Sequence, residues 1–435
     1  VEPYGSTYYG ADGIFRTLAK APGKSWLWWL YRYFPLFRTR AESAYKWIAA
    51  HRNFGYAATR YAFGLKVRPA SYRLTEALFL RLLAITYGIA FASLQPQILG
   101  LAGSHGLTPV TPVLPAMRHA LGLRASIYVH SIFWFGASDT ALLWTCTAGI
   151  LASLLFFFSG WFRGIWQRFF AFVCLVLYLS LTAIGQPFTQ FQWDALLIEA
   201  GFLALFAGTP LLVWAYRFLL LRLMFESGVV KLLSGDPNWQ NLHALRFHFM
   251  TQPLPNPIAW YVTQFPARIL DAMTFLTLAI ELFCPLLLLF PRRIRHWSAI
   301  VLILLQLAIA FTGNYAFFNL LTIAICLWAF DDRTFAFLER GFSLYRATTI
   351  RKWRPVATTL LAVLMVIGGL QILGLFFRPA RLIASIPEAF LGPLQIVNSY
   401  GLFAVMTTSR PEIILEGSND QQTWTEYSFR YQPGD

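Results

Sequence analysis

Charge is what this chain has least of. Only 13% of its 435 residues are Asp, Glu, Lys or Arg, against roughly 25% in soluble domains, which excludes an ordinary water-soluble enzyme. It also lacks a cysteine framework. Cys146, Cys174, Cys284 and Cys326 all lie inside apolar runs and form no C-x-x-C pair, so neither a zinc site nor a disulfide scaffold is supported. His243 and His248 are five apart rather than four and do not share a helical face as a ligand pair would. No nucleophile elbow is present, because Gly103-Ser-His-Gly106 has the wrong glycine spacing for G-x-S-x-G. No internal repeat of the kind found in inverted-topology transporters is evident. The chain opens on Val1 without a signal-peptide pattern, and we expect it to be a piece of a longer protein.

What is abundant is apolar surface: 57% of residues are hydrophobic and 17% aromatic. Stretches of about 17 to 25 mostly apolar residues mark membrane spans. Nine are read, near 74–94, 139–159, 167–185, 191–208, 211–232, 268–290, 296–313, 315–330 and 355–377. The expected fold class is therefore an all-α polytopic membrane bundle of about nine transmembrane helices with a short β-rich exoplasmic tail. A net charge of +15 could suggest nucleic acid, but the basic residues gather between apolar spans, so the lipid bilayer is the expected partner and no nucleic acid is. Twenty-three Arg and Lys fall on one side of the nine spans and eight on the other. This bias puts the N-terminus in the cytoplasm and places the 233–267 loop and the C-terminal tail together on the exoplasmic side.

Three regions follow. Residues 1–73 are basic and tryptophan-rich, as in Trp26-Leu-Trp-Trp29, and read as a cytoplasmic helical pair against the headgroups. Residues 74–377 form the transmembrane domain. Residues 378–435 are β-rich, with strand patterns at 402–408, 412–416 and 424–431 around the turn-forming Gly417–Gln422, so a hairpin with a third strand is expected. The sheet reads as unfinished at Asp435.

The sharpest single residue is Lys231, at the end of an apolar run. An ammonium near hydrocarbon depth snorkels, pairs or lines a wet cavity. The readings are a helix-end lysine at the interface, a buried ion pair, and an acid–base catalyst, with Asp194, Glu199 or Asp236 as its expected counter-ion. Asp194 and Glu199 read as polar glue between helices, satisfied by Arg81 or Arg217. A proton or substrate pathway of a transporter is the competing reading. Arg222 and Glu226 are four apart and can neutralise each other on one helical face. Beyond Lys231 the chain turns polar and proline-rich. Asp236, Trp239, His248, Thr251, Gln252, Pro253, Pro255 and Asn256 form a candidate client-facing strip, since proline fixes an extended shape before binding. The same run could simply return the chain across a surface. No cofactor-binding or metal-binding motif is read.

Six ordered blocks give the chain a resemblance to the lipase maturation factor family over roughly 75–435. They are Gly100–Pro109, Phe191-Gln-Trp-Asp-Ala-Leu-Leu-Ile-Glu-Ala-Gly201, Arg222–Lys231, Gly235-Asp-Pro-Asn-Trp239, Thr251-Gln-Pro-Leu-Pro-Asn-Pro257, and Asn398–Thr407 with Glu416–Asp420. The resemblance implies a multispan protein that assists folding and assembly of secreted lipases, in the endoplasmic reticulum membrane if eukaryotic or the inner membrane if bacterial. Tyr9–Arg16, Tyr31–Pro35 and Tyr45–Arg52 resemble the C-terminal part of the DCC thiol-disulfide oxidoreductase family. That family's Cys-x-x-Cys is absent here, which implies an upstream DCC domain as a partner. More distantly, Gly228-Val-Val-Lys-Leu232 followed by Trp239 is similar to the vitamin K-dependent γ-glutamyl carboxylases, whose matching lysine acts as a base. Trp193 lacks the histidine that follows by three positions in that family.

Overall fold

A computed structural model describes residues 7–21, 24–64, 70–160, 164–254, 256–338 and 354–429. The chain divides into two compact units, Val1–Pro69 with Pro291–Arg293, and Ala70–Phe290 with Ile294–Asp435. The smaller holds four helices, α1 (Gly10–Ala19), α2 (Ser25–Tyr33), α3 (Pro35–Ala50) and α4 (Arg52–Phe63), rather than a pair. Phe34 separates α2 from α3 in an extended conformation (φ −110°, ψ 102°) because Pro35 disfavours the helical region at the residue before it. Glu42 accepts a hydrogen bond from the hydroxyl of the buried Tyr31 and ties α3 to α2.

The larger unit holds the helices α5 (Arg73–Leu94), α6 (Ile98–Ala102), α7 (Val110–Leu121), α8 (Ala125–Tyr128), α9 (Asp139–Ser159), α10 (Gly164–Ile184), α11 (Gln192–Ala204) and α12 (Leu212–Leu233). There follow α13 (Pro237–Gln240), α14 (Ala244–Thr251), α15 (Pro257–Thr263), α16 (Ala267–Leu287), α17 (Arg292–Thr312), α18 (Phe318–Cys326), α19 (Arg354–Gly374) and α20 (Arg378–Leu391). Among the described residues six helices, α5, α9, α10, α16, α17 and α19, are long and apolar enough to cross a membrane, so nine full-length apolar spans are not found. Each of the other three fails for its own reason. At 1.5 Å per residue, the 13 residues of α11 reach only about 20 Å, short of the roughly 30 Å hydrocarbon core. The 9-residue α18 is shorter still and ends in the 3-10 turn Leu327–Ala329. The 22-residue α12 is long enough but carries Arg217, Arg222, Glu226 and Lys231.

Hydrogen bonds fix where the short helices begin and end. Gln192, at the start of α11, accepts from the backbone of Gly401 at 3.0 Å, and Gly208 beyond its other end donates to Glu76 in the first turn of α5 at 2.8 Å. Tyr315, ahead of α18, bonds His248 at 3.1 Å, while beyond it Asp332 accepts the N–H groups of Arg73, Leu74 and Thr75 at 2.8 to 3.0 Å. Those are orphan donors of the first turn of α5, and an anion there also suits the helix dipole. The segments that follow α11 and α18 thus both bond to the first turn of α5. Tyr216 stacks on Trp328 in the core of the bundle and Phe79 packs tilted against both, with ring centroids 4.5 to 5.5 Å apart. The α12 helix is buried on every side, as befits a central helix. In contrast, α19 leaves Val356, Leu360, Val363 and Val366 exposed, which a lipid-facing helix would.

The tail departs from the expected sheet. Two-residue strands β1 (Glu416–Gly417) and β2 (Thr425–Glu426) pair antiparallel, with Glu416 opposite Glu426. Asp420 holds the turn between them by accepting from Gln422, Thr423 and Ser418, and these bonds keep its carboxyl well below the usual range. No third strand forms at 402–408. The backbone there bonds to the helical bundle and its loops instead.

Candidate functional site

Lys231 lies in the last turn of α12 and is 2% exposed. Its Nζ donates to both carboxylate oxygens of Glu281 on α16, at 2.8 and 2.6 Å. The expected counter-ions Asp194, Glu199 and Asp236 are all engaged elsewhere. Gly228 explains why the two helices come this close: a Cβ there would lie 3.1 Å from Glu281 Cβ and 3.0 Å from Leu282 Cδ2. One turn later the lysine stem spans the gap. The indole of Trp239 lies 5.2 Å from Nζ, within cation–π range.

Arg222 makes the second cluster. It donates to Glu199 at 2.7 Å and to Gln371 of α19 at 3.0 Å, lies 3.6 Å from Glu226, and donates to the carbonyl of Asn398. The expected Arg222–Glu226 pairing is present, and Glu199, not Glu226, is the nearer carboxylate. Gly368 makes room for it, since a Cβ there would come within 2.8 Å of Arg222 Nε. The Glu199 carboxylate also accepts from Asn398 N, Asn398 Nδ2 and Tyr400 Oη at 2.9 to 3.0 Å. Glu226 accepts from Tyr400 N at 2.7 Å. Asp194 takes Tyr178 Oη at 2.5 Å and the Phe191 N–H at 3.2 Å, the second being one half of a capping box. Neither Arg81 nor Arg217 satisfies these carboxylates. Arg217 donates instead to the Trp328 carbonyl and Tyr72 Oη, and Arg81 to the Ala77 carbonyl.

The polar strip after α12 continues the pattern. Asp236, 6% exposed, caps α13 and accepts the Met406 N–H at 2.6 Å. Trp239 donates to the Phe403 carbonyl at 2.8 Å, and Thr251 to the Thr407 carbonyl at 2.9 Å. Gln252 donates to the Thr312 carbonyl at 2.8 Å, and Asn256 to that of Phe311 at 3.1 Å, tying the strip to the end of α17. His248 is held neutral: burial first, then the Lys231 charge, lower its pKa to about 4. Its partner Tyr315 is pushed up to about 12 by burial. Of the candidate strip, Pro253 is exposed and Asn256 half-buried, while Pro255 lies outside the described residues. Among the described residues no group of three or more His, Cys, Asp and Glu could hold a metal ion. The four cysteines are free.

Three carboxylates from two helices and a loop, Glu199, Glu226 and Asp236, thus each accept a backbone N–H from one segment, Asn398 to Met406. A buried carboxylate left without donors is costly, and charge-assisted bonds to backbone N–H are among the stronger hydrogen bonds. The arrangement fastens the segment to the bundle. Beside it, His248, Gln252, Pro253, Phe403, Arg410 and Ile413 help line a cleft of about 600 Å³.

Sequence reasoning missed Glu281, Gln371 and Tyr400 as members of these clusters. Glu281 was open to discovery, because a carboxylate inside an apolar run is a candidate partner for any buried cation. Nothing local marks Gln371 or Tyr400, 149 residues from Arg222 and 201 from Glu199.

Residues 74–337 match the model of the lipase maturation factor transmembrane domain, and 396–435 that of the lipase maturation factor C-terminal domain. The chain is 30% identical over 484 residues to lipase maturation factor 2 of Xenopus tropicalis (83% of this chain, 68% of that protein), and 32% over 481 residues to that of Gallus gallus (83% and 67%). To lipase maturation factor 1 of Bos taurus it is 30% identical over 423 residues (85% and 73%). No solved structure matches it. Its apolar helices and the carboxylate-fastened segment at the start of the second matched region therefore belong to an integral membrane protein of the lipase maturation factor family.

Proposed function

We propose that this chain is a membrane maturation factor that assists the folding or assembly of secreted proteins, with lipases as the client class. Support comes from the names of its relatives and from one observation in particular. The Asn398–Met406 segment is bound to buried carboxylates of the bundle, so the region that follows is presented from a fixed base. In this reading nine passes run through the bundle, α11, α12 and α18 being sheltered by the six apolar spans. The 233–267 loop and the tail then share the exoplasmic side, as the distribution of Arg and Lys favours. The client-facing surface is the outward part of the strip, Pro253 with Arg410 and the exposed Ile413 and Ile414, around the cleft beside His248 and Gln252. The described N-terminal helices would be the end of a DCC-like domain, and the membrane is that of the endoplasmic reticulum or, in a bacterium, the inner membrane.

Enzymatic use of Lys231 is disfavoured by geometry: its Nζ is buried and held by both oxygens of the Glu281 carboxylate, so that pair must break before a substrate atom can reach it. A transport path through Asp194 and Glu199 is disfavoured likewise, since both carboxylates are engaged by protein donors. Co-expression with a secreted homodimeric lipase in cells lacking their own factor tests the proposal. The wild-type chain should raise secreted lipase activity several-fold, and Ile413→Asp with Ile414→Asp should remove most of the gain at equal expression. No gain with the wild type, or an undiminished gain with the double variant at matched levels, counts against the function or the surface, respectively.

A further inference from the structure

A second cavity lies away from the charged clusters. It measures about 670 Å³ and is walled by α7, α8 and the 129–135 segment on one side, and by Val176 and Leu179 of α10 with Leu394 on the other. That volume is within the roughly 300–1,000 Å³ of small-molecule sites. Its walls are built rather than collapsed. Ser180 accepts the Ile132 N–H at 3.1 Å, Ser131 donates to the Ser180 carbonyl at 3.0 Å, and Trp134 donates to the Val129 carbonyl at 2.8 Å. These bonds occupy Ser131, Ser180 and the Trp134 indole, and beside them lies an apolar floor of Val129, Ile132, Val176, Leu179 and Leu394.

The floor continues a stripe. Ile165, Phe169 and Phe172 are 50 to 57% exposed on α10, and Val176 and Leu179 follow at the same spacing of three to four residues, which is one face of a helix. The α10 helix is a candidate membrane span, so this face meets acyl chains along its lower turns. Val176 sits eight residues before Ile184, about 12 Å below the helix end at 1.5 Å per residue. The cavity thus begins at hydrocarbon depth and rises into the loop region. There its character changes: the exposed Arg118 lies on its rim, and the lining residue His130 carries a buried Nδ1 that no protein group satisfies. An apolar floor continuous with a lipid-facing stripe, capped by a cation and an unpaired polar atom, fits an amphiphile better than a peptide or a sugar.

We infer that this groove holds one glycerophospholipid of the bilayer, an acyl chain lying on Val176 and Leu179 and an anionic headgroup at Arg118 and His130. Bound there, it would stake the α7–α8 segment to α10.

Native mass spectrometry of the purified full chain, exchanged into detergent with added phosphatidylglycerol or phosphatidylcholine, tests this. One phosphatidylglycerol should survive on the wild type, with retention at least threefold above phosphatidylcholine. Leu179→Trp, which fills the floor, should lower retention about tenfold, and Arg118→Ala should erase the headgroup preference while leaving some binding. Should Leu179→Trp fail to fold, Ile132→Trp fills the same floor from the loop side. A photoreactive acyl analogue should label peptides from 129–135 and 176–180. Equal retention by filled and unfilled variants, labelling confined to other helices, or capture of a free fatty acid in place of the phospholipid would overturn the inference.

Discussion

Of the three buried cations on helix α12, Arg222 and Lys231 lie nine residues apart and are held in opposite ways. Nine residues at 100° each put them on opposite faces, about 13 Å apart along the axis. Lys231 meets one carboxylate on one neighbouring helix, with the indole of Trp239 nearby. Arg222 meets two carboxylates, an amide and a backbone carbonyl, drawn from α11, α12, α19 and the C-terminal segment. The first is a pair that an apolar contact could replace. The second is a hub whose carboxylates also hold backbone N–H groups of another region, so no apolar substitute exists. Guanidinium suits the second role because its planar fork directs several bonds at once, and ammonium the first because it is a compact point charge.

The largest expected effect breaks the hub. Arg222→Met leaves Glu199 and Glu226 buried without their cation, and should cost more than the roughly 3–5 kcal/mol typical of removing one partner of a buried pair. Denaturant unfolding in detergent reads the loss, and limited proteolysis should show new cleavage between 398 and 410. The intermediate effect sharpens the contrast. Glu281→Ala should destabilise by about 3–5 kcal/mol, whereas Lys231→Met combined with Glu281→Leu should return within about 1 kcal/mol of wild type, as apolar replacements of buried pairs can. An equivalent double replacement, Arg222→Met with Glu199→Leu, should recover little, because Asn398 and Tyr400 lose their acceptor. If both pairs are rescued equally, the distinction between pair and hub falls.

The smallest effect concerns His248, which lies within reach of the Lys231 charge. Its imidazole titrates near 4 when folded and near 6.5 when not. The unfolded chain therefore takes up the proton first, and the folded state is favoured in full only above about 6.5. Between about 6.5 and about 4 the folding equilibrium should weaken roughly tenfold per pH unit through this one group. Unfolding midpoints at pH 5, 6 and 7 should show a shallower slope for His248→Gln. Parallel slopes for both proteins would mean that the imidazole is not buried.

Much of the bundle was legible because an apolar run of span length leaves little choice of structure. The six spans were read within a few residues of their helices. The failures lie where tertiary bonds override local pattern. Residues 191–208 read as a span, yet α11 stops at Ala204 and the turn to Gly208 bonds Glu76. Leu402–Thr408 reads as a strand, yet its backbone is taken by Asp236, Trp239 and Thr251. Composition shows that such a segment can extend but not which acceptors wait for it. The site was half legible. Asp194, Glu199, Arg222 and Glu226 are buried and bonded, as charges within apolar sequence suggest, and so are Lys231, for which an interfacial position was one reading, and Asp236, which was read into the client-facing strip. Apart from Arg222 with Glu226, their partners were misassigned, because bonding across 16 to 201 residues leaves no periodic trace.

The central claim is that buried carboxylates fasten the Asn398–Met406 segment to the bundle. Amide hydrogen exchange of the intact protein tests it most directly. Peptides covering 398–406 should exchange nearly as slowly as those of α12 in the wild type, and in Arg222→Met as fast as the exposed 418–423 turn. Exchange at 398–406 as fast as that turn in the wild type would contradict the account.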